Sequence, residues 1–253
     1  MLKKKLLVVA LASAFSLPAL ADDLTVSSNV SLVSDYLYRG ISQTGALPAL
    51  QGGFDLSHAS GLYAGVWGSS ISWVSDAGLA NSAGLELDTY AGYKGSAADI
   101  GYDVGFLRYN YPGSYVANAV KPDTNEIYGA LSYSIVTAKF SYALGDTFGA
   151  PDSKGTTYAE LNAAYAIADT GVTVAGHVGA QTYKGSSAKY TAFIASGTPS
   201  YTDYKLSVTK DFGGYVAGLA FSSTDASAYY TSVTPQAKKL GKGTAVLSLS
   251  RAF

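Results

Sequence analysis

The chain has 253 residues, a net charge of −1, 28 glycines, 21 tyrosines and no cysteine, and only 14% of its residues are charged. That charged fraction lies well below the ~25% of ordinary soluble domains. The basic residues are neither in excess nor clustered, which excludes a nucleic-acid binder. The absence of cysteine excludes disulfides and thiolate chemistry.

The N-terminus is typical of a secretory signal peptide over residues 1–21. A lysine triplet precedes an apolar run at residues 6–15, and small residues lead to a cleavage site after Ala21. The apolar run is shorter than the ~20 residues that a membrane-spanning helix needs. We therefore expect export with cleavage, which leaves a single domain at residues 22–253.

Beyond residue 21 the chain alternates apolar and polar residues with a period of two. This period is typical of strands that have one oily and one polar face. In the first strand the apolar face carries Leu24, Val26, Val30, Leu32, Tyr36 and Tyr38. The pattern predicts twelve strands, at residues 24–39, 47–57, 61–73, 84–94, 99–110, 125–135, 138–146, 156–167, 171–183, 201–210, 214–224 and 243–253.

Two of these strands have an ambiguous register. In the third, Tyr63 and Trp67 oppose Leu62, Ala64 and Val66, so either set could be the apolar face. In the fifth, Arg108 falls in the apolar phase. Either that strand ends or bulges there, or the assigned register is wrong.

The connections between the predicted strands alternate in length. Links such as HASG, KGSAAD, VT, ADT and DFGG are short, and the intervening links are longer and hold most of the prolines. Short turns at one rim and long loops at the other are typical of an outer-membrane barrel with both termini on the periplasmic side. We therefore predict an all-β fold: a transmembrane, antiparallel, up-and-down barrel of about twelve strands in the outer membrane of a Gram-negative bacterium.

Aromatic residues in the lipid-facing phase support this register. The last strand, TAVLSLSRAF, keeps its alternation up to Phe253. The residues expected to form an aromatic girdle at the periplasmic interface are Tyr93, Tyr102, Tyr133, Phe140, Tyr165, Tyr215 and Phe253.

Three segments carry a resemblance to a known family: VSDYLYRGISQTGALPALQGGFDLSHASGLYAGVWGSS, GYDVGFLRYNYPG and VAGHVGAQTY. Over essentially the whole mature chain the sequence resembles the TorF-type porin family of outer-membrane proteins. The resemblance implies the barrel fold and the outer-membrane location, and it implies transport less directly. The terminal Phe253 is similar to the sorting signal that the barrel-assembly machinery recognises.

The polar phases of the strands should line the lumen. The pore-lining candidates are Asp35, Arg39, Asp55, Glu86, Asp88, Asp103, Glu126, Lys139, Glu160, His177, Gln181, Asp203 and Lys205. Eight of these are acids and three are bases, and rings of acids favour cations in channels. The alternative is an internal network of ion pairs and hydrogen bonds that fills the barrel.

The sequence therefore favours a porin-like channel for passive diffusion of small hydrophilic solutes or ions. The alternative is a barrel that does not transport and has a structural or loop-mediated binding role. We predict no enzyme, cofactor or metal site, because two isolated histidines and no nucleophile elbow offer no catalytic or ligand set. The expected partners are outer-membrane lipid, the assembly machinery and small solutes, and the oligomeric state is open.

Overall fold

The computed structural model describes residues 23–184, 199–228, 230 and 238–253. In chain order its elements are β1 (Leu24–Val33), β2 (Leu37–Tyr38), β3 (Ile41–Ser42), β4 (Ala49–His58), β5 (Leu62–Ser70), α1 (Trp73–Asp76), β6 (Ala80–Ser82), β7 (Leu85–Ala97), β8 (Ile100–Asn110), β9 (Ser114–Tyr115), β10 (Thr124–Tyr133), β11 (Val136–Ala143), β12 (Thr157–Ile167), β13 (Val172–Thr182), β14 (Tyr201–Asp211), β15 (Tyr215–Thr224), a 3-10 turn (Asp225–Ala228) and β16 (Thr244–Ala252). The predicted signal peptide at 1–21 lies outside the described residues.

The twelve long strands form one closed antiparallel barrel, which confirms the predicted fold class. Each strand pairs with its neighbour in sequence, and the barrel closes where β1 pairs with β16. Beyond the last paired residues, the backbone N–H groups of Ser28 and Phe253 each donate to the carbonyl of the other, at 2.9 and 2.7 Å. The alternation therefore runs to the end of the chain because the last strand has a partner on both sides.

The outer face of the barrel is apolar. Leu50, Leu131, Leu206 and Leu247 are each more than 60% exposed. Soluble monomers rarely expose apolar area on this scale. Here it forms the lipid-facing surface of a transmembrane barrel. Within the described residues, no helix has both the length and the apolar character needed to span a membrane.

The structure resolves both ambiguous registers. In β5, Tyr63 and Trp67 point inward, since the Tyr63 hydroxyl reaches Asp103 on β8, which is not a neighbouring strand. In β8, Arg108 does face outward, and the pairing with β7 continues without a bulge to Asn110. Arg108 lies at the loop end of the strand and pairs there with Asp123 at 3.1 Å.

The first predicted strand was too long. β1 ends at Val33, and the backbone at Arg39 and Gly40 has positive φ values of 46° and 77°, so the chain turns back on itself between β2 and β3. The placement of Tyr36 and Tyr38 on the apolar outer face is therefore wrong. Both side chains lie inside the barrel, because their hydroxyls find hydrogen-bond partners there that lipid cannot offer.

The short connections lie at one rim and the long ones at the other, as predicted. The turn between β10 and β11 is Ser134–Ile135, with Ser134 at φ 54°, rather than the predicted Val136–Thr137. The sequence offers no glycine or proline there, so the prediction missed the turn by two residues. β7 likewise continues to Ala97, with the turn at residues 98–99.

Glycines on the inner wall let tyrosine rings lie flat along it. A Cβ on Gly65 would collide with the ring of Tyr90, and one on Gly105 would collide with the hydroxyl ends of Tyr63 and Tyr128. The rings therefore occupy the space that side chains on the neighbouring strands would fill. They line the wall instead of crossing the lumen.

We predict that Gly65→Val lowers the free energy of unfolding by about 1–3 kcal/mol, because the new side chain must displace the Tyr90 ring. Urea unfolding in detergent micelles measures the effect. Gly176→Val is the matched control, because a Cβ on that strand glycine meets no atom within 4 Å. An equal loss in both variants would contradict the ring-on-glycine packing.

Candidate functional site

The segment at residues 34–48, between β1 and β4, enters the barrel from the long-loop rim. The Tyr36 hydroxyl donates to Oε1 of Glu86 at 2.7 Å, and the Tyr38 hydroxyl donates to that of Tyr109 at 2.8 Å. We call residues 34–48 the inward loop. Its tip brings aromatic and cationic groups to the inner wall, so the lumen is narrowed at this level.

Arg39 is the most tightly held residue of the inward loop. Its guanidinium donates to Oε2 of Glu126 at 2.7 Å and to Oε1 of Gln181 at 2.8 Å. It also lies 4.8 Å from the ring centre of Tyr38 and 4.2 Å from that of Tyr158. The side chains of Arg39 and Glu126 are only 8% and 3% exposed. Charge-assisted hydrogen bonds and cation–π contacts thus join the loop to β10, β12 and β13.

A second polar network lies next to this ion pair. His177 Nε2 is 2.9 Å from Oδ1 of Asp203, and its Nδ1 is 2.7 Å from Oδ1 of Asn162. Asn162 donates its amide to Glu160 at 3.0 Å, and Tyr158 donates to Asp203 at 2.8 Å. Both ring nitrogens of His177 therefore face oxygen atoms, which makes it a hydrogen-bonding residue of the wall.

Toward the short-turn rim the inner wall carries a more open polar layer. The Tyr63 hydroxyl donates to Asp103 at 2.6 Å and is also hydrogen-bonded to that of Tyr128. The ammonium of Lys139 lies 4.3 Å from the ring centre of Tyr128. Side chains of β5, β8, β10 and β11, which belong to one continuous sector of the barrel, thus contact one another along the inner wall.

Asp55 belongs to the same layer. It accepts a hydrogen bond from the Tyr90 hydroxyl at 2.6 Å. Both carboxylates of this layer, Asp55 and Asp103, therefore have tyrosine donors.

Three buried carboxyls, those of Glu86, Asp88 and Glu126, lie close to one another on the inner wall. Glu126 is paired with Arg39, and Glu86 accepts from Tyr36. Asp88 is 7% exposed, and its buried Oδ1 has no hydrogen-bond partner in the part of the chain that the structure describes. A buried carboxyl oxygen without a donor costs free energy, so Asp88 lowers the stability of this layer.

Eleven of the thirteen pore-lining candidates lie on barrel strands with inward-facing side chains: Asp55, Glu86, Asp88, Asp103, Glu126, Lys139, Glu160, His177, Gln181, Asp203 and Lys205. The other two were assigned to a strand that ends before them. Arg39 reaches the lumen from the inward loop. Asp35 accepts from Ser42 at 2.6 Å and Thr44 at 3.0 Å within that loop.

Asp35 is therefore a hydrogen-bond acceptor within the inward loop and not a residue of the barrel wall. Burial raises the pKa of its carboxyl, against the opposing effect of the Ser42 and Thr44 hydroxyls. Its two hydroxyl partners hold the base of the inward loop in shape.

Sequence analysis missed the aromatic half of the site. Tyr109 and Tyr158 share the polar phases of their strands with Asp103 and Glu160, so the phase itself could have indicated them. Tyr36 and Tyr38 had no such signal, since they continue the apolar phase of β1. The Arg39–Gly40 pair, which makes the turn, was the available clue.

The aromatic girdle residues all belong to the outward phase. The Arg251 guanidinium, also outward, hydrogen-bonds the Tyr215 hydroxyl and lies 5.1 Å from the ring centre of Phe253. Tyr93 and Tyr102 stack at 6.1 Å. Phe140 is the fifth residue of β11, farther from the short-turn rim than predicted, because β11 begins at Val136.

Among residues 23–184, 199–228, 230 and 238–253, no group of three or more histidine, cysteine, aspartate or glutamate side chains could hold a metal ion. The carboxyls of Glu86, Asp88 and Glu126 thus form no such group. Their surroundings are tyrosine hydroxyls, a guanidinium and a side-chain amide.

Comparison with known proteins gives a family and a fold. The family model described as "Bacterial protein of unknown function (Gcw_chp)" matches residues 19–253. No curated protein matches the sequence.

Among solved structures, one from work on in-meso crystallization of membrane proteins is 8% identical, with a TM-score of 0.51, and the match covers 90% of this chain and 83% of that one. The KdgM porin in complex with disordered oligogalacturonate is 7% identical, with 90% and 97% covered and a TM-score of 0.48. LpxR from Salmonella typhimurium is 9% identical, with 90% and 99% covered and a TM-score of 0.47. At these identities the likeness concerns the fold alone.

We predict that Arg39→Ala lowers the free energy of unfolding by about 3 kcal/mol, because it leaves Glu126 buried without its cation. Arg108→Ala is the matched control. Its ion pair with Asp123 is more accessible than the Arg39 pair, with side chains 39% and 16% exposed, and should contribute about 0–1 kcal/mol. Urea titrations of both variants in the same detergent give the comparison, and equal losses would contradict a buried, structural role for Arg39.

Proposed function

The chain belongs to the Gcw_chp family of bacterial proteins of unknown function, so its function has to be inferred from the residues that line its barrel. We propose that it is a porin-like outer-membrane protein through which small hydrophilic solutes or ions diffuse passively, with a weak preference for cations. The observation that carries this proposal is a closed twelve-stranded barrel with a continuous polar inner face. A polar inner face can solvate small hydrophilic solutes and ions, whereas an apolar one would exclude them.

The tyrosine-on-glycine packing supports passage. The rings of Tyr63, Tyr90 and Tyr128 lie along the wall over Gly65, Gly92 and Gly105. Twelve strands enclose a lumen intermediate between a packed eight-stranded barrel and an open sixteen-stranded porin. Flattened rings preserve this intermediate width toward the short-turn rim, and the inward loop forms the constriction.

The charge balance supports the preference for cations. Among the pore-lining candidates, eight acids outnumber three bases, Arg39, Lys139 and Lys205. Rings of carboxylates attract cations and repel anions at a narrow point. The preference should be weak, because Lys139 and Lys205 line the wider part of the wall.

A second candidate function follows from the Arg39 clamp. Four groups hold the inward loop across the lumen: Glu126, Gln181, Tyr109 and Glu86. If this loop never moves, the barrel is closed, and its role is structural or lies in partner binding by the long loops. Conductance separates the two candidates.

The decisive experiment is single-channel recording of the refolded mature protein in a planar bilayer under a salt gradient. We expect discrete steps and a reversal potential that indicates mild cation preference. Glu86→Gln, Asp88→Asn and Glu160→Gln should each reduce that preference. A folded but silent wild-type barrel would favour the non-transporting alternative.

We predict that Arg39→Ala increases single-channel conductance by roughly twofold or more, because the narrowest polar constriction limits flow. Releasing the guanidinium frees the loop from β10 and β13. Arg108→Ala, which changes an arginine on the outer face, should leave conductance unchanged. A wild-type conductance in Arg39→Ala would mean that the inward loop does not limit passage.

The proposed location and assembly depend on the last strand. Phe253 closes the barrel against Ser28 and ends the outward aromatic row. We expect export through a cleaved signal peptide and recognition of this terminus by the barrel-assembly machinery.

We predict that Phe253→Ser severely reduces the amount of heat-modifiable protein in outer-membrane fractions. Phe212→Ser is the control, because Phe212 is an exposed aromatic at a short turn, outside the strand signal. Unchanged assembly of Phe253→Ser would show that the assembly machinery does not recognise the terminal aromatic residue.

A further inference from the structure

An aromatic pocket lies at the long-loop end of the barrel, beside the inward loop. It has a volume of about 120 Å³ and is not closed on all sides. A closed apolar cavity of ~150 Å³ takes one benzene ring, so a half-open pocket of this volume has room for one small ring and no more. Its aromatic walls are Tyr38, Trp73, Tyr111, Phe148, Tyr201 and Tyr230.

The walls of the pocket are held in place by ring packing. Trp73 and Tyr111 pack edge to face at 5.3 Å, and Tyr38 and Phe148 do so at 5.5 Å. Tyr38 belongs to the inward loop, whereas the other three rings lie in the connections that follow β5, β8 and β11. The pocket is therefore preformed, as ligand pockets usually are, where the inward loop meets the long connections of three barrel strands.

The described lining of the pocket carries no formal charge. The Arg39 guanidinium lies 4.8 Å from the ring centre of Tyr38 and donates to Gln181, and both of these residues line the pocket. Arg39 is already paired with Glu126 at 2.7 Å. A cation in the pocket would be repelled by the guanidinium, and an anion would lose its water against a guanidinium that is already neutralised. The pocket therefore suits an uncharged ligand.

The polar atoms around the pocket are mostly used within the protein, with one exception. The Gln43 amide donates to the carbonyl of Ile41 at 2.9 Å, and the Tyr38 hydroxyl donates to that of Tyr109 at 2.8 Å. The indole of Trp73 is half-buried, and its buried Nε1–H has no acceptor among the described residues. A buried donor without a partner costs free energy, so a ligand that brings an acceptor to the indole would be favoured.

From the uncharged aromatic walls, the single-ring volume and the unpartnered indole N–H, we infer that the pocket binds a small neutral ring that carries an oxygen acceptor, such as a cyclic ether. The ring contacts the aromatic side chains, and the oxygen accepts from Trp73. The inference goes beyond the passage of hydrophilic solutes, and it holds whether or not the barrel conducts.

Calorimetric titration of the refolded mature protein with three rings of the same shape tests the inference. Tetrahydropyran is neutral and has an ether oxygen, cyclohexane is neutral and has no acceptor, and piperidinium is a cation. We expect saturable binding of tetrahydropyran and at least roughly tenfold weaker binding of piperidinium. Titration into protein-free micelles gives the blank for partition into detergent. A folded barrel that does not bind tetrahydropyran, or that binds piperidinium or glucose as tightly, would overturn the inference.

The variant Trp73→Phe tests the hydrogen bond, because it keeps an aromatic ring and removes the N–H. Cyclohexane is the more hydrophobic ligand, so the change in the ratio of the two affinities, and not their order, reports the contact. We expect Trp73→Phe to weaken tetrahydropyran binding roughly threefold to tenfold more than cyclohexane binding. An equal effect on both rings would overturn the role of the indole as the donor.

Trp67→Phe is the matched control, since Trp67 is the other of the two tryptophans in the chain. Its ring packs against Tyr36 at 5.5 Å and does not line the pocket, so both affinities should remain unchanged. Leu240→Trp fills the pocket from its wall and should abolish binding of both rings. Migration of heated and unheated samples on detergent gels verifies that each variant is folded. Lost binding in Trp67→Phe, or full binding in Leu240→Trp, would overturn the assignment of the site.

Binding and conduction fail separately. A conducting barrel that does not bind tetrahydropyran would leave the proposed function intact and remove this inference. A silent barrel that binds tetrahydropyran would do the reverse. Calorimetry and bilayer recording on the same preparation therefore distinguish the two failures.

Discussion

Backbone hydrogen bonding in a solvent that offers none is the constraint on which this structure depends. An unpaired amide or carbonyl in hydrocarbon costs several kcal/mol, so a sheet that spans a membrane must close. Closure here falls to β1 and β16, with Ser28 and Phe253 completing the ladder. Once closed, the sheet has an inside, and the polar phase of every strand must find partners there. The ion pairs, tyrosine hydroxyls and amides of the lumen follow from that requirement.

The inward loop supplies hydrogen-bond partners for two of the buried acids and leaves a third without one. Arg39 gives Glu126 a cation, and Tyr36 gives Glu86 a donor, which lets two carboxylates remain buried. Asp88 has no such partner in the described chain. A core selected for stability alone would have replaced it, because an apolar or paired residue would cost less. This unmatched oxygen belongs to the same group of buried carboxyls as Glu86 and Glu126, at the level of the inward loop.

The period-two pattern was sufficient for the fold because each strand of a barrel has one lipid-facing side. All twelve strands and the outward phase of Tyr215 and Phe253 followed from it, whereas the outward position of Arg108 looked like a conflict with the pattern and proved to be part of it. The pattern failed where the alternation continues beyond the end of a barrel strand. Tyr36 and Tyr38 keep the alternation of β1 but belong to a loop inside the lumen. Alternation identifies two faces, and it cannot tell an outer wall from a hairpin folded into the barrel. The contacts of Arg39 to β10 and β13 are long-range, so no local signal could have predicted them.

The outward position of Arg108 has a consequence for the bilayer around the protein. On β8 the girdle residue Tyr102 and Arg108 are six residues apart, roughly 20 Å along the strand at ~3.3 Å per residue. Strand tilt shortens this span further, to less than the ~25 Å apolar band of outer-membrane barrels. The guanidinium and its partner Asp123 belong at headgroup depth. The bilayer beside β8 must therefore become thinner, or the barrel must tilt toward that side. The protein thus imposes a hydrophobic mismatch on one sector of the surrounding membrane.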